Sequence, residues 1–130
     1  MDVRNSDMRL YGNNVTEMAI SLSVRTGNAL SVIECTRIEK GIFHSVTREG
    51  TWFYFNRLSV KPQVRNRGIA TFLLQNLVEI ADGNCINIFC DINPYGDLNL
   101  EQLISLYGKF EFELLPNLSS TMVRQCKFLV

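Results

Sequence analysis

No apolar run in the sequence approaches the ~20 residues needed to cross a bilayer. The opening Met1-Asp2-Val3-Arg4-Asn5-Ser6-Asp7 has no apolar stretch of the kind a signal peptide carries. These two absences predict a cytoplasmic protein with no membrane partner. An excess of either charge is missing too, since 13 Lys and Arg balance 13 Asp and Glu, so the basic footprint of a nucleic-acid binder is absent. Cys35, Cys85, Cys90 and Cys126 show no Cys-x-x-Cys or Cys/His ligand spacing, and His44 is the one histidine. That argues against a metal site and reads the cysteines as reduced, buried, small apolar side chains. No repeat, low-complexity segment or linker breaks the 130 residues, which predict one domain, 1–130, with a core of its own.

What is present is concentrated in Leu58-Ser59-Val60-Lys61-Pro62-Gln63-Val64-Arg65-Asn66-Arg67-Gly68-Ile69-Ala70-Thr71. The apolar run Trp52-Phe53-Tyr54-Phe55, with Leu58 and Val60, predicts a strand ending near Pro62. Ile69, Phe72, Leu73, Leu77 and Ile80 recur at helical spacing and predict a helix over 68–81, stopped at Asp82-Gly83-Asn84. The first N–H groups of a helix have no intrahelical acceptor, and the helix dipole makes that end positive. Gly68 lets a bulky group approach the backbone, Ala70 keeps the second turn small, and Arg65 and Arg67 can bond phosphate oxygens. The stretch reads as a phosphate cradle. It is neither a Walker loop, because no Gly-Lys-Ser/Thr follows, nor a dinucleotide fingerprint, because it holds one glycine.

Around this stretch the chain reads as follows. Residues 1–13 form a polar lead-in with a short edge segment at 8–11. Met18, Ile20, Leu22 and Val24 alternate with polar or small residues and predict a strand, although Val15, Met18, Ala19 and Leu22 also fit a helix over 15–24. Thr26-Gly27-Asn28 is a turn, 30–38 a second strand, and 42–46 an extension of the meander. Cys85-Ile86-Asn87-Ile88-Phe89-Cys90 is a further strand. Strand, helix and strand in succession form a right-handed crossover, so 51–60 and 85–91 should run parallel. Asn93-Pro94-Tyr95-Gly96 is a loop, and Asp97 or Asn99 caps a helix carrying Leu100, Leu103, Ile104 and Tyr107. Residues 110–115 and 121–129 alternate and close the chain as a hairpin through Pro116-Asn117.

Arg65-Asn66-Arg67-Gly68-Ile69-Ala70 resembles the Arg/Gln-x-x-Gly-x-Gly/Ala signature of the GNAT N-acetyltransferase family. The preceding Leu58-Ser59-Val60 and the following Leu73-Leu74 also look like that family, and the resemblance covers roughly residues 50–115. It implies an α/β fold with a mixed sheet: an antiparallel N-terminal meander, a central parallel strand pair with its crossover helix, then a C-terminal helix and closing hairpin. It implies that the loop binds the pyrophosphate of acetyl-CoA, the co-substrate, through Leu58, Ser59, Val60, Arg65, Asn66, Arg67, Gly68, Ile69, Ala70 and Thr71. The two parallel strands would splay apart, with the pantetheine arm in the gap. Leu106-Tyr107-Gly108-Lys109-Phe110-Glu111-Phe112 resembles the family's Phe/Leu-Tyr-x-x-x-Gly-Phe segment, which makes Tyr107 the catalytic general acid for the departing thiolate; packing of helix on sheet is its plainer reading. Asn99 resembles a family asparagine that touches the CoA arm, and reads equally as a helix N-cap.

Two departures stand out. Glu111 replaces a glycine, which predicts a differently shaped turn, and the chain before residue 60 is too short for the two helices that the family usually places after its first strand. A strand bulge near Ser59 and Val60 would supply the backbone N–H groups for the thioester carbonyl. The general base stays open among Glu34, His44, Glu49 and Asp91. The resulting expectation is an acetyl-CoA-dependent N-acetyltransferase acting by direct transfer to a small-molecule or protein amine. No cysteine sits beside a base as a nucleophile would, which disfavours an acetyl-enzyme. The alternative is a catalytically weak or inactive acyl-CoA-binding module that works through protein partners. An exposed closing hairpin would suit a homodimer.

Overall fold

The computed structural model describes residues 8–38, 42, 43, 46, 47, 50–92, 98–116 and 120–127. Its elements, in chain order, are β1 (Gly12–Val15), β2 (Ala19–Thr26), β3 (Ala29–Ile38), β4 (Ile42–Phe43), β5 (Val46–Thr47), β6 (Thr51–Ser59), α1 (Ile69–Gly83), β7 (Ile86–Asp91), α2 (Leu100–Gly108), β8 (Glu113–Leu114) and β9 (Thr121–Arg124). Seven strands form one mixed sheet in the order β1-β2-β3-β6-β7-β9-β8.

The first four strands of that order are the expected antiparallel meander. In β2 the two-residue period wins over the helical one: Ile20, Leu22 and Val24 are buried while Val15 and Met18 are exposed, so no helix forms over 15–24. The Gly27-Asn28 turn joins β2 to β3, and Gly27 supplies the positive φ of 61° that the tight reversal requires. The edge strand lies at Gly12–Val15, later than the 8–11 expected. β4 and β5 pair with each other in a separate two-stranded ladder and do not extend the meander.

β6 and β7 run parallel and are joined by α1, as the strand–helix–strand order requires. α1 buries Ile69, Leu73, Leu74, Leu77, Val78 and Ala81 along one stripe, and these belong to the same core as Phe53, Phe55, Leu58, Leu103 and Tyr107. At roughly 2 kcal/mol for each fully buried large aliphatic side chain, this stripe is what fixes α1 to the sheet. The helix passes through Asp82 and Gly83 and stops at Asn84, whose side chain donates back to the Ile80 carbonyl (2.8 Å). A smaller cluster of Trp52, Phe89 and Leu115, with Tyr54 packed on it, occupies the opposite parity of β6 and β7.

The closing hairpin is shorter than expected, and β9 inserts between β7 and β8. Its anchor is Arg124, 3% exposed, which donates to the Phe110 carbonyl and forks onto both Asp82 carboxylate oxygens at 2.8 and 2.9 Å. A buried guanidinium needs such pairing to leave water.

Candidate functional site

The local sequence of β6 builds one wall. Phe53 and Phe55 face the main core, and strict alternation would next turn Arg57 inward. A bulge prevents this. Arg57 pairs with Glu34 and Phe55 with Cys35, so Asn56 is skipped in the register and the parity flips, while its side chain donates to the Thr36 hydroxyl. Leu58 is thereby buried in the core, with Val60 packed against it. The bulge therefore sits at Asn56, earlier than the Ser59–Val60 position expected, because the mismatch is set by β3.

Beyond β6, Pro62–Val64 forms a 3-10 turn anchored by buried Val64. Arg65 Nε donates to the Val60 carbonyl (3.0 Å) and folds the loop back onto the strand end. Asn66 and Gly68 adopt φ of 63° and 81°, so the chain reverses sharply into α1. A Cβ on Gly68 would meet no protein atom within 4 Å. The glycine is needed here for its left-handed backbone, with open space in front of it.

α1 begins with no side-chain cap and no acidic residue in its first turn. Its intrahelical ladder opens with the Phe72 amide donating to the Gly68 carbonyl (3.0 Å), which leaves the amides of Ile69, Ala70 and Thr71 ahead of it. These residues line a cavity of about 220 Å³ together with Leu58, Val60, Arg65, Asn66 and Gly68, and with Leu98, Leu103, Leu106 and Tyr107 from the other side. One end of the cavity is formed by the start of α1, whose first amides precede the intrahelical ladder. The remainder is a largely aliphatic trough.

Tyr107 closes the trough. It is 6% exposed and packs edge-on to Phe55 (5.6 Å between centroids) and against Phe112 (5.8 Å). Its carbonyl accepts from the Phe110 and Phe112 amides at 2.9 and 3.3 Å, which closes the chain just past the end of α2. Glu111 then takes φ 70°. The backbone here lies in the left-handed region, and a glutamate rather than a glycine bears the strain.

The splay is visible in the pairing. β6 and β7 pair from Thr51/Ile86 to Tyr54/Phe89, after which β6 continues to Ser59 and β7 to Asp91 without further rungs. Near this opening the Asp91 carboxylate accepts from Tyr54 (3.3 Å) and Thr121 (2.9 Å) hydroxyls. Burial first, then the charge of Asp91, pushes the Tyr54 phenol up, so that it keeps its proton. Tyr54 and Thr121 escaped sequence reasoning because their meeting with Asp91 joins three distant positions; the alternation of β6 was the available signal for Tyr54. Of the other carboxylates considered, Glu34 is ion-paired with Arg57 on the exposed sheet surface. Glu49 and His44 lie outside the described residues, as do Asn93–Asp97.

Of the residues singled out from sequence, nine of the twelve line one cavity: Leu58, Val60, Arg65, Asn66, Gly68, Ile69, Ala70, Thr71 and Tyr107. Ser59, Arg67 and Asn99 do not. Asn99 instead caps α2, accepting from the Gln102 amide (2.9 Å) while the Gln102 side chain returns to the Asn99 amide (2.8 Å). Among the described residues there is no cluster of three metal-ligating side chains, and no helix is long and apolar enough to cross a membrane.

The sequence matches the Acetyltransferase (GNAT) family over residues 13–112. No curated protein sequence matches it. Among solved structures, the fold is similar to the ribosomal-protein-S18-alanine N-acetyltransferase from Escherichia coli, with a TM-score of 0.63 and 10% identity over 89% of this chain and 74% of that one. It is similar to Arabidopsis thaliana NAA60, solved in complex with acetyl-CoA, with a TM-score of 0.59 and 18% identity over 82% and 76% of the two chains. It is also similar to the Escherichia coli GNAT N-acetyltransferase YhbS, solved in complex with CoA, with a TM-score of 0.56 and 15% identity over 83% and 59%.

Proposed function

The chain belongs to the acetyltransferase (GNAT) family, and from that premise we propose that it transfers an acetyl group from acetyl-CoA directly to an amine. The observation that carries this reading is the convergence of the uncapped start of α1 and the Tyr107 ring on one cavity. Amides of Ile69, Ala70 and Thr71 hold the pyrophosphate, and the Arg65–Arg67 loop adds positive charge beside it. Leu58, Val60, Leu103 and Leu106 take the pantetheine arm toward the gap between β6 and β7. Backbone N–H groups of β6 past the Asn56 bulge polarise the thioester carbonyl.

The amine nitrogen attacks that carbonyl carbon, the C–N bond forms, and the C–S bond breaks. Tyr107 gives its phenolic proton to the departing thiolate, and the amine loses a proton in exchange. We assign Asp91, with the Tyr54 and Thr121 hydroxyls bound to it, to receive that proton through water. Arg67, outside the cavity wall, supplies long-range charge, and the part taken by Asn99 is to begin α2.

Calorimetry with acetyl-CoA and a thiol-release assay over amines, polyamines and lysine peptides test the proposal. Tyr107→Phe should cut turnover about 100-fold and leave acetyl-CoA affinity within about threefold. Unchanged turnover would remove Tyr107 from the acid role, and no heat from wild type would reject the cofactor site. The second reading, a binding module without transfer, draws on the absence of any α-helix before α1 among the described residues. Tight acetyl-CoA binding without thiol release over the whole amine set would select it.

A further inference from the structure

The four cysteines fall into two pairs. Cys35 and Cys90 are buried, and burial pushes both thiols up, Cys90 to about 12, so they remain inert thiols as the sequence predicts. Cys85 and Cys126 depart from that expectation, one being exposed and the other half-buried. Burial first, then the neighbouring Cys85, pushes the Cys126 thiol up.

The fold holds this pair from both sides. Asp82, three residues before Cys85, binds Arg124 and accepts from the Lys127 amide (2.9 Å). Asn87, two residues after Cys85, accepts from the Cys126 amide (2.9 Å). Cys85 itself adopts φ 53°, a left-handed conformation unusual for its side chain, in the turn between α1 and β7. Residues 124–127 are thus pinned across 82–87, and the two sulfurs are brought together by contacts in which neither takes part.

We propose that Cys85 and Cys126 form a reversible dithiol–disulfide couple, oxidised by a low-molecular-weight disulfide such as oxidised glutathione. The Cys85 thiolate attacks one sulfur of the oxidant, giving a mixed disulfide and releasing one reduced thiol. The Cys126 thiolate then attacks the Cys85 sulfur, forming the Cys85–Cys126 bond and expelling the second thiol. The protein loses two electrons and two protons, and the oxidant is reduced to two thiols. Cys85 is the more exposed of the two and is therefore the first attacker. The bond closes a loop containing β7, α2, β8 and β9, and so staples the C-terminal strands to the end of α1. That end lies roughly 20 Å along the helix from the cavity, so acetyl-CoA binding is left as it was.

The test treats the full chain with oxidised glutathione, counts free thiols after denaturation, and maps the peptides. The expected result is loss of two thiols, an intramolecular 85–126 cross-linked peptide, and a melting temperature several degrees higher that dithiothreitol reverses. Cys126→Ser should stop at a glutathione adduct on Cys85, whereas Cys90→Ser should still cross-link. Retention of all four thiols, a stable adduct on Cys85 in the unmodified chain, a Cys35–Cys90 bond or a bond between molecules would each overturn the proposal.

Discussion

At its N-terminal end α1 starts on a left-handed glycine, with no side-chain cap, beside a cavity. At its C-terminal end the same helix is tied down by Asn84, by the Asp82–Arg124 fork and by the Lys127 amide. A helix stabilised for its own sake would be finished at both ends, as the start of α2 is by Asn99 and Gln102. The difference indicates that the first turn of α1 gives up capping energy to keep its amides available, and that packing and the far end make good the loss. Function and stability should therefore separate along fifteen residues.

The largest expected effect tests the open end. Gly68→Glu should weaken acetyl-CoA by at least about a hundredfold, near 3 kcal/mol, because it sets a negative charge and a strained left-handed side chain at the anion site. Since a Cβ there meets nothing, the stability loss should be limited to the left-handed strain, about 1 kcal/mol. A collapse of stability with intact affinity in calorimetry would reverse the comparison.

Asp82→Ala should do the converse, costing about 2–4 kcal/mol in denaturant unfolding because it leaves the buried Arg124 unpaired, with acetyl-CoA affinity unchanged. The Arg124 hydrogen bond holds the Asp82 carboxyl below its ordinary value. Its folded pKa is thus the lower one, so its stabilising contribution is complete above about pH 4 and disappears as pH falls through the folded value. Wild type should lose stability in that acid window more steeply than Asp82→Ala, as followed by urea melts across pH.

Asn99→Ala removes a cap from the helix end that is closed, and should cost about 1 kcal/mol of stability without altering cofactor affinity; a large affinity loss would return Asn99 to the binding site. The smallest effect concerns Glu111, which pairs with Lys127 at 2.6 Å between exposed side chains and contributes little by that contact. Glu111→Gly should be more stable than Glu111→Ala by about 1 kcal/mol, since both lose the pair and alanine alone keeps the strained φ. Equal unfolding midpoints for the two variants would deny the strain.

Legibility in the sequence followed contact distance. The β6–α1–β7 crossover, the Arg65–Thr71 loop and the stripe containing Tyr107 are local patterns, and each is where the spacing placed it. The Asn56 bulge was misplaced because it depends on how β3 pairs, through Glu34 and Cys35. Insertion of β9 between β7 and β8, and the Asp82–Arg124 fork, join positions more than forty residues apart in the second case. The left-handed backbone at Glu111 is not legible from its residue type, since glutamate disfavours it; buried Phe110 and Phe112 flank it on either side.

The early end of pairing between β6 and β7 has a mechanical consequence. The sheet consists of two half-sheets, β1-β2-β3-β6 and β7-β9-β8, stitched along a seam that runs only from Thr51/Ile86 to Tyr54/Phe89. Force applied across the molecule would tear it there first, and a ligand wedged into the unstitched part would act as the missing rungs, knitting the halves into one plate.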